Sequence, residues 1–265
     1  MIKIILIIMT VFILYCMIET ARELRDFRLT KYRICSPKLN GIRGTKKIIF
    51  LSDLHNRMYG KENERLLESI KNQHPDLILI GGDMLVRKDG NSYDRTVRFL
   101  EKLPAICPVY CANGNHEQKL KELPDKYEQS YEGYKKALTA CGIHMLENAS
   151  EKVRLDEAPV RISGLEIPLR AYARLGKKDL PLKEITDRIG EHGEEYQILL
   201  AHHPGYIQEY LEYGADMILS GHYHGGVMQL PGIVSRGLGT HSVPVRLWNW
   251  PELIVLELSG TSEEM

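Results

Sequence analysis

Three short apolar segments, each followed at once by polar residues, constrain the fold of this chain more than any other feature. Residues 47–51, 77–80 and 108–112 have the length and apolar content of buried strands. Residues 61–72 and 96–103, which separate them, show the apolar spacing of amphipathic helices. Strands that alternate with helices predict an α/β sheet, and such sheets bind ligands beyond the carboxyl ends of their strands.

The side chains that follow the predicted strands are all able to bind a metal ion. They are Asp53, His55, Asp83, Asn115, His116, His202, His222 and His224. Carboxylate, amide and imidazole ligands together suit Mn, Fe or Zn. Because they are too many for one tetrahedral ion, they predict two divalent ions that share a bridging carboxylate.

The assignment as metal ligands is ambiguous in two stretches of the sequence. His222 and His224 follow Gly221 in a loop, and two neighbouring histidines alone are weak evidence for a metal site. His202 is followed by His203, so either imidazole can be the ligand, and the position at the strand exit favours His202.

In their order along the chain, these residues resemble the calcineurin-like metallophosphoesterases. The resemblance rests on an Asp-x-His at Asp53, a Gly-Asp at Gly82, a Gly-Asn-His-Glu at Gly114, His202 and a Gly-His-x-His at Gly221. It covers residues 46–258 and implies an α/β fold. In that fold, a four-layer metallophosphoesterase sandwich, two mixed β-sheets are flanked by helices. The apolar N-terminus, expected to form a membrane helix, resembles a membrane-anchored bacterial branch of the family.

The resemblance also implies a role for each residue. Asp53, His55 and His224 are expected to bind one ion. Asn115, His202 and His222 are expected to bind the other, and Asp83 is expected to bridge both. His116 matches the family histidine that acts on the leaving group without binding metal, and Asn115 matches the residue that helps to hold the phosphate.

The N-terminal segment predicts a membrane attachment. Residues 4–18 are almost entirely apolar and have the length of a short membrane span or of a signal-peptide core. Residues 18–22 make a poor cleavage site, so we expect residues 1–20 to be a retained anchor or uncleaved signal. The excess of basic residues after the span favours a cytoplasmic catalytic domain, and export to the cell surface is the alternative. Residues 21–45 are predicted to be a linker and residues 46–260 the catalytic domain.

The composition bears on nucleic-acid binding and on the cellular compartment. Among the 265 residues, 35 basic and 35 acidic side chains balance, which gives no support to nucleic-acid binding. Five cysteines without a metal-site spacing weakly favour a reducing compartment.

Together these features predict a dimetal phosphoesterase. It is expected to hydrolyse a phosphodiester, phosphomonoester or pyrophosphate bond by metal-activated hydroxide, on a lipid-linked or membrane-proximal substrate. The family that it resembles includes enzymes that cleave UDP-diacylglucosamine, which is one candidate substrate. A phosphodiesterase acting on a soluble nucleotide and a non-catalytic metal-binding sensor are the alternatives.

Overall fold

The structure is a computed structural model and describes residues 2–86, 92–172, 179–224, 228–229, 232–240 and 246–261. Its helices are α1 (Ile2–Glu23), α2 (Glu64–Asn72), α3 (Asp94–Leu100), α4 (Asn115–Glu122), α5 (Tyr131–Ala140), α6 (Leu182–Ile189) and α7 (Ile207–Glu212). Its strands are β1 (Arg28–Cys35), β2 (Lys46–Leu51), β3 (Leu77–Ile80), β4 (Val109–Cys111), β5 (Ile143–Met145), β6 (Ala149–Leu155), β7 (Ala158–Leu165), β8 (Tyr196–Ala201), β9 (Met217–Ser220), β10 (Met228–Gln229), β11 (Gly232–Val234) and β12 (Glu252–Ser259).

Within the described ranges, the strands form two mixed sheets of six strands each. The first sheet has the order β1-β12-β2-β3-β4-β5, and the second has the order β10-β11-β9-β8-β7-β6. β2, β3, β4 and β5 run parallel, and so do β7, β8 and β9. The carboxyl ends of these two parallel sets are therefore the edges at which ligand-binding side chains are expected.

The alternation of side chains along each strand produces the layers. In β2, Ile48 and Phe50 pack in the core between the two sheets, whereas Ile49 and Leu51 pack against the helices outside the first sheet. Helices α2, α3 and α5 cover that outer face, and α6 and α7 cover the outer face of the second sheet. The four-layer arrangement predicted from the sequence is confirmed.

The linker predicted over residues 21–45 is wrong for its central part. Residues 28–35 form β1, which pairs in parallel with β12 along its whole length, from Arg28 opposite Glu252 to Cys35 opposite Ser259. Leu29, Tyr32 and Ile34 pack on the two cores beside β12. Lys31 and Arg33, which suggest a solvated tether, are exposed and alternate with the half-buried Tyr32 and Ile34, and Arg33 pairs with Glu257 at 3.1 Å.

Helix α1 is long and apolar enough to cross a membrane by length and composition, and a signal sequence would pass the same test. Its large apolar side chains from Ile2 to Ile18 are exposed. Its last turn is different, because Glu19 and Glu23 are buried and Thr20 Oγ1 donates a 2.9 Å hydrogen bond to the carbonyl of Arg246. The end of α1 thus belongs to the folded domain.

The pairing of β1 gives a test that separates a strand from a linker. Removal of residues 1–35 should lower the free energy of unfolding by about 3 kcal/mol relative to removal of residues 1–26, since three half-buried apolar side chains contribute about 1 kcal/mol each. Urea denaturation of both truncated proteins measures the difference. Equal stabilities would show that residues 28–35 are dispensable, as a linker would be.

Candidate metal centre

The predicted ligands meet at the carboxyl ends of the central strands of both sheets. Asp53 and His55 follow β2, Asp83 follows β3, and Asn115 and His116 begin α4 shortly after β4. The second sheet contributes His202 after β8, and His222 and His224 after β9. The site therefore lies where the two sheets face each other.

The backbone is left-handed at many of these positions. Asp53, His55, Asp83, His222 and His224 have φ angles of 53°, 49°, 54°, 66° and 51°. Such angles are uncommon for residues other than glycine and cost free energy, and they cluster at functional sites. The loops are bent so that successive side chains point into one space rather than to opposite sides.

Among the residues that the structure describes, three sets of side-chain atoms lie close enough to hold an ion. Within each set the atoms are within 4.8 Å of one another. The sets are Asp53, His55 and His224; His55, Asp83 and His116; and Asp83, His202 and His222. Asp83 belongs to two sets, and its Oδ2 lies 3.1 Å from His202 Nε2 and 3.9 Å from His55 Nε2.

Asp53 is fully buried and contacts residues from both sheets. Its Oδ1 lies 3.1 Å from His224 Nε2 and accepts a 3.1 Å hydrogen bond from the backbone N–H of His222. A Cβ on Gly221 would lie 2.1 Å from Asp53 Oδ2, so this close approach of the two loops requires glycine at position 221.

His202 is oriented by the backbone of the neighbouring sheet. Its Nδ1 lies 2.7 Å from the carbonyl oxygen of Gly81, which can only accept, so Nδ1 carries the proton and Nε2 faces Asp83. His203 is engaged elsewhere, because its Nδ1 accepts a hydrogen bond from Gly205 N–H. The structure therefore favours His202 over His203 as the residue facing the centre.

Asn115 and His116 are held by the first turn of α4. The backbone N–H of His116 donates a 2.8 Å hydrogen bond to Asp83 Oδ1. Asn115 Oδ1 is buried without a hydrogen-bond partner in the described part of the chain. An amide oxygen buried in this way is costly unless an additional ligand satisfies it, and a cation at the centre would do so.

Charge pairing dominates the protonation of the centre. Burial opposes ionisation of Asp53, but His202, His224 and His55 hold the pKa of its carboxyl well below the usual range. Burial also lowers the pKa of His202, yet the carboxylates of Asp83 and Asp53 raise it to about 10. Burial and the positive charge of His202 lower the pKa of His222 to about 3, so that imidazole is neutral and ready to bind a cation.

Two supporting residues had no assigned role from the sequence alone. Glu117 accepts hydrogen bonds from the backbone N–H groups of Asp83, Met84 and Gly114. Burial and the Asp83 charge raise the pKa of Glu117 to about 7. Its place three residues after Gly114 is a capping-box spacing, which is the sequence signal that points to such a role.

The second supporting residue is Arg246, which is 4% exposed. Its Nη2 donates to the carbonyls of Arg236, Gly237 and Gly239 and lies 3.4 Å from His224 Nδ1. A buried arginine with several carbonyl acceptors fixes the loop beside His224. No motif in the sequence marks this residue, because its contacts come from a separate loop.

Comparison with known proteins agrees with this geometry. The family model described as calcineurin-like phosphoesterase matches residues 46–226. The metallophosphoesterase YkuE of Bacillus subtilis is 28% identical over 246 residues, which cover 82% of this chain and 80% of that protein. The phosphodiesterase YaeI of Escherichia coli is 25% identical over 208 residues, with coverage of 77% and 69%.

The fold of this chain is similar to that of a solved structure. The phosphopantetheinyl hydrolase of Mycobacterium tuberculosis superposes with a TM-score of 0.50 and 16% identity, over 80% of this chain and 96% of that one. The family match spans more than half of the chain and includes the strand ends at which the side chains able to hold a metal ion lie. The chain belongs to the calcineurin-like phosphoesterase family.

Proposed function

We propose that the centre holds two divalent cations and that the protein hydrolyses phosphoester bonds with them. The observation that supports this most is the position of Asp83. Its carboxylate lies 3.9 Å from His55 Nε2 on one side and 3.1 Å from His202 Nε2 on the other, so it can bind both ions. One ion is assigned to Asp53, His55 and His224. The other is assigned to Asn115, His202 and His222, with Asp83 as the bridge.

The donor set fits such ions. Buried carboxylates, neutral imidazoles and the otherwise unsatisfied Asn115 oxygen suit Mn, Fe or Zn. When bound, such a pair supplies an activated water near neutral pH and neutralises charge on the phosphoryl oxygens. The protein contributes the ordered ligands, and hydrogen bonds such as that from His202 to Gly81 hold them in place.

His116 is proposed to protonate the leaving oxygen. It is buried, and its Nε2 lies 3.9 Å from Asp83 Oδ2, so the ring faces the same space as the ligands. Its ring also packs edge-on against that of His55, with centroids 5.0 Å apart. A positioned imidazole is a suitable general acid at neutral pH. Distance alone would also permit His116 to bind metal, and the family resemblance supports the acid role.

For the substrate, we propose a lipid-linked or membrane-proximal phosphoester or pyrophosphate, of which UDP-diacylglucosamine is one example. The exposed apolar face of α1 supports this proposal, because it ends at a turn that is joined to the domain beside His224. The catalytic domain would then lie next to the bilayer, on the cytoplasmic face by the excess of basic residues after α1.

A phosphodiester of a soluble nucleotide is the alternative substrate. Tyr223, between two proposed ligands, is 60% exposed and can stack on a base. A metal-binding sensor without turnover is the alternative outside catalysis.

Loss of the bridging carboxylate or of the general acid should reduce turnover. With Mn added, Asp83→Asn and His116→Ala should each lower kcat for bis(p-nitrophenyl) phosphate by about 100-fold or more, since positioned acids contribute about 10²–10⁴-fold. His144→Gln, on the exposed side of β5, is the matched histidine control and should keep full activity. Activity retained in both site variants would contradict the assignment, and metal binding without any hydrolysis by the wild type would favour a sensor.

The protonation of His202 predicts a pH dependence of stability after metal removal. Its pKa rises from 6.5 to about 10 on folding, so its stabilising contribution is complete below about pH 6.5 and is lost as the pH approaches 10. Urea denaturation in chelator should show a decline of up to about 1.4 kcal/mol per pH unit in this window. His202→Gln should flatten the decline and His144→Gln should not. The same slope in His202→Gln as in the wild type would contradict the prediction.

The two substrate classes predict opposite preferences for the full chain in vesicles. A lipid-linked pyrophosphate should be hydrolysed with a kcat/KM about tenfold or more above that of a soluble dinucleoside pyrophosphate with the same reacting bond, because attachment to one surface raises the effective concentration. Removal of residues 1–26 should reduce this ratio. An equal or reversed preference in the full chain would favour the soluble nucleotide.

A further inference from the structure

We infer that the cavity at the base of α1 binds the phosphate of an anionic membrane phospholipid, at a site separate from the metal centre. The cavity, of about 700 Å³, is lined by Ile18, Ala21, Arg22, Arg25, Asp26, Arg65 and Trp250. None of the proposed metal ligands lines it. The inference rests on the proposed insertion of α1 into the membrane.

The cavity is lined by both apolar and basic residues, as the binding of an amphiphilic lipid requires. Ile18 and Ala21 continue the exposed apolar face of α1, along which acyl chains can lie. The lining also contains three arginines and a single aspartate, which leaves an excess of positive charge. Arginine is weakly hydrated and binds phosphate oxygens through two N–H groups, which suits an interfacial phosphate.

The arginines are only partly neutralised by their neighbours. Arg65 and Asp26 form an exposed pair at 2.8 Å, and an exposed ion pair contributes little. Arg22 pairs at 3.1 Å with Glu19, which is buried. Arg25 is exposed, and the described residues offer its side chain no hydrogen bond or ion pair. This guanidinium is therefore available to a ligand.

Trp250 gives the cavity the character of a membrane interface. Arg22 and Arg28 lie over its ring, at 5.1 and 4.4 Å from the centroid. Tryptophan and arginine are both favoured at the level of lipid headgroups. Trp248, two residues before Trp250, is 65% exposed.

The length of α1 places the cavity at the correct depth. Its apolar part, from Ile2 to Ile18, rises about 25 Å, which is less than the hydrocarbon thickness of about 30 Å. A span that is too short draws the residues at its end toward the headgroups. Arg22 and Arg25 lie within two turns of Ile18 and therefore at the lipid phosphates.

Native mass spectrometry of the full-length protein tests the site. Purified protein in mild detergent is mixed with equal amounts of phosphatidylglycerol and phosphatidylcholine with the same acyl chains, and bound lipid is counted. We expect phosphatidylglycerol to be retained preferentially, and Arg25→Gln to reduce this retention about fivefold. The triple change of Arg22, Arg25 and Arg65 to Gln should abolish the preference.

The controls separate this site from general charge and from misfolding. Arg43→Gln and Arg154→Gln remove exposed arginines that pair with Glu157, remote from α1, and should keep the preference. Arg25→Gln breaks no described side-chain contact, so its effect does not depend on the fold. Equal retention of both lipids by the wild type, or an unchanged preference in the triple variant, would overturn the inference.

Two further outcomes distinguish related explanations. Displacement of the lipid by excess inorganic phosphate would indicate a site for free anions and would overturn the lipid assignment. Carbonate extraction of membranes from expressing cells tests α1 itself. Release of the intact chain would overturn both the membrane attachment and this site, whereas retention in the membrane without lipid preference would overturn this site alone.

Discussion

The carboxylate of Glu117 joins the two loops on which the metal centre depends. It accepts hydrogen bonds from Asp83 N–H and Met84 N–H after β3 and from Gly114 N–H at the start of α4. These donors would otherwise be unsatisfied inside the protein, at a cost of about 1–3 kcal/mol each. With them satisfied, the Asp83 side chain and the first turn of α4 are held together, and His116 N–H reaches Asp83 Oδ1.

The same arrangement brings buried carboxylates close together, and an imidazole of the candidate centre compensates part of their repulsion. Asp53 and Asp83 are both buried and both ionised, so their charges repel each other and Glu117 across a poorly hydrated space. The positive charge of His202 compensates part of this repulsion in the absence of metal. Two divalent cations would compensate it more fully, and binding would displace the His202 proton, so ion affinity and proton release are coupled.

Much of this arrangement could be predicted from the sequence because it is local. The central strands follow from apolar runs, and the parallel arrangement brings their carboxyl ends together without any knowledge of side-chain contacts. The edge strand β1 was predicted to be a linker because its alternating basic residues hide its half-buried face. Its strand character depends on β12, more than 200 residues away, which no local pattern reveals.

The residues of the candidate site also divide into those that the sequence reveals and those that only the structure reveals. The residues Asp53, Asp83 and His202 stand at strand exits and are visible as ligands, whereas the left-handed backbone that turns Asp53 and Asp83 inward is visible only in the structure. Arg246 is the clearest case of a contribution that the sequence does not mark. It reaches the loop at residues 236–239 and His224 from a third segment, so only the tertiary fold relates it to the centre.

Hydrogen bonds through Arg246 and Asn249 connect the end of α1 to the candidate metal centre. Thr20 Oγ1 donates to the carbonyl of Arg246, and the carboxylate of Glu23 accepts from the N–H of Asn249. The Asn249 side chain in turn donates a 2.7 Å hydrogen bond to the carbonyl of His224. Cleavage after α1 would remove Thr20 and Glu23 from this network and leave its polar groups without these partners. These hydrogen bonds connect the last turn of α1 to the segment that carries His224.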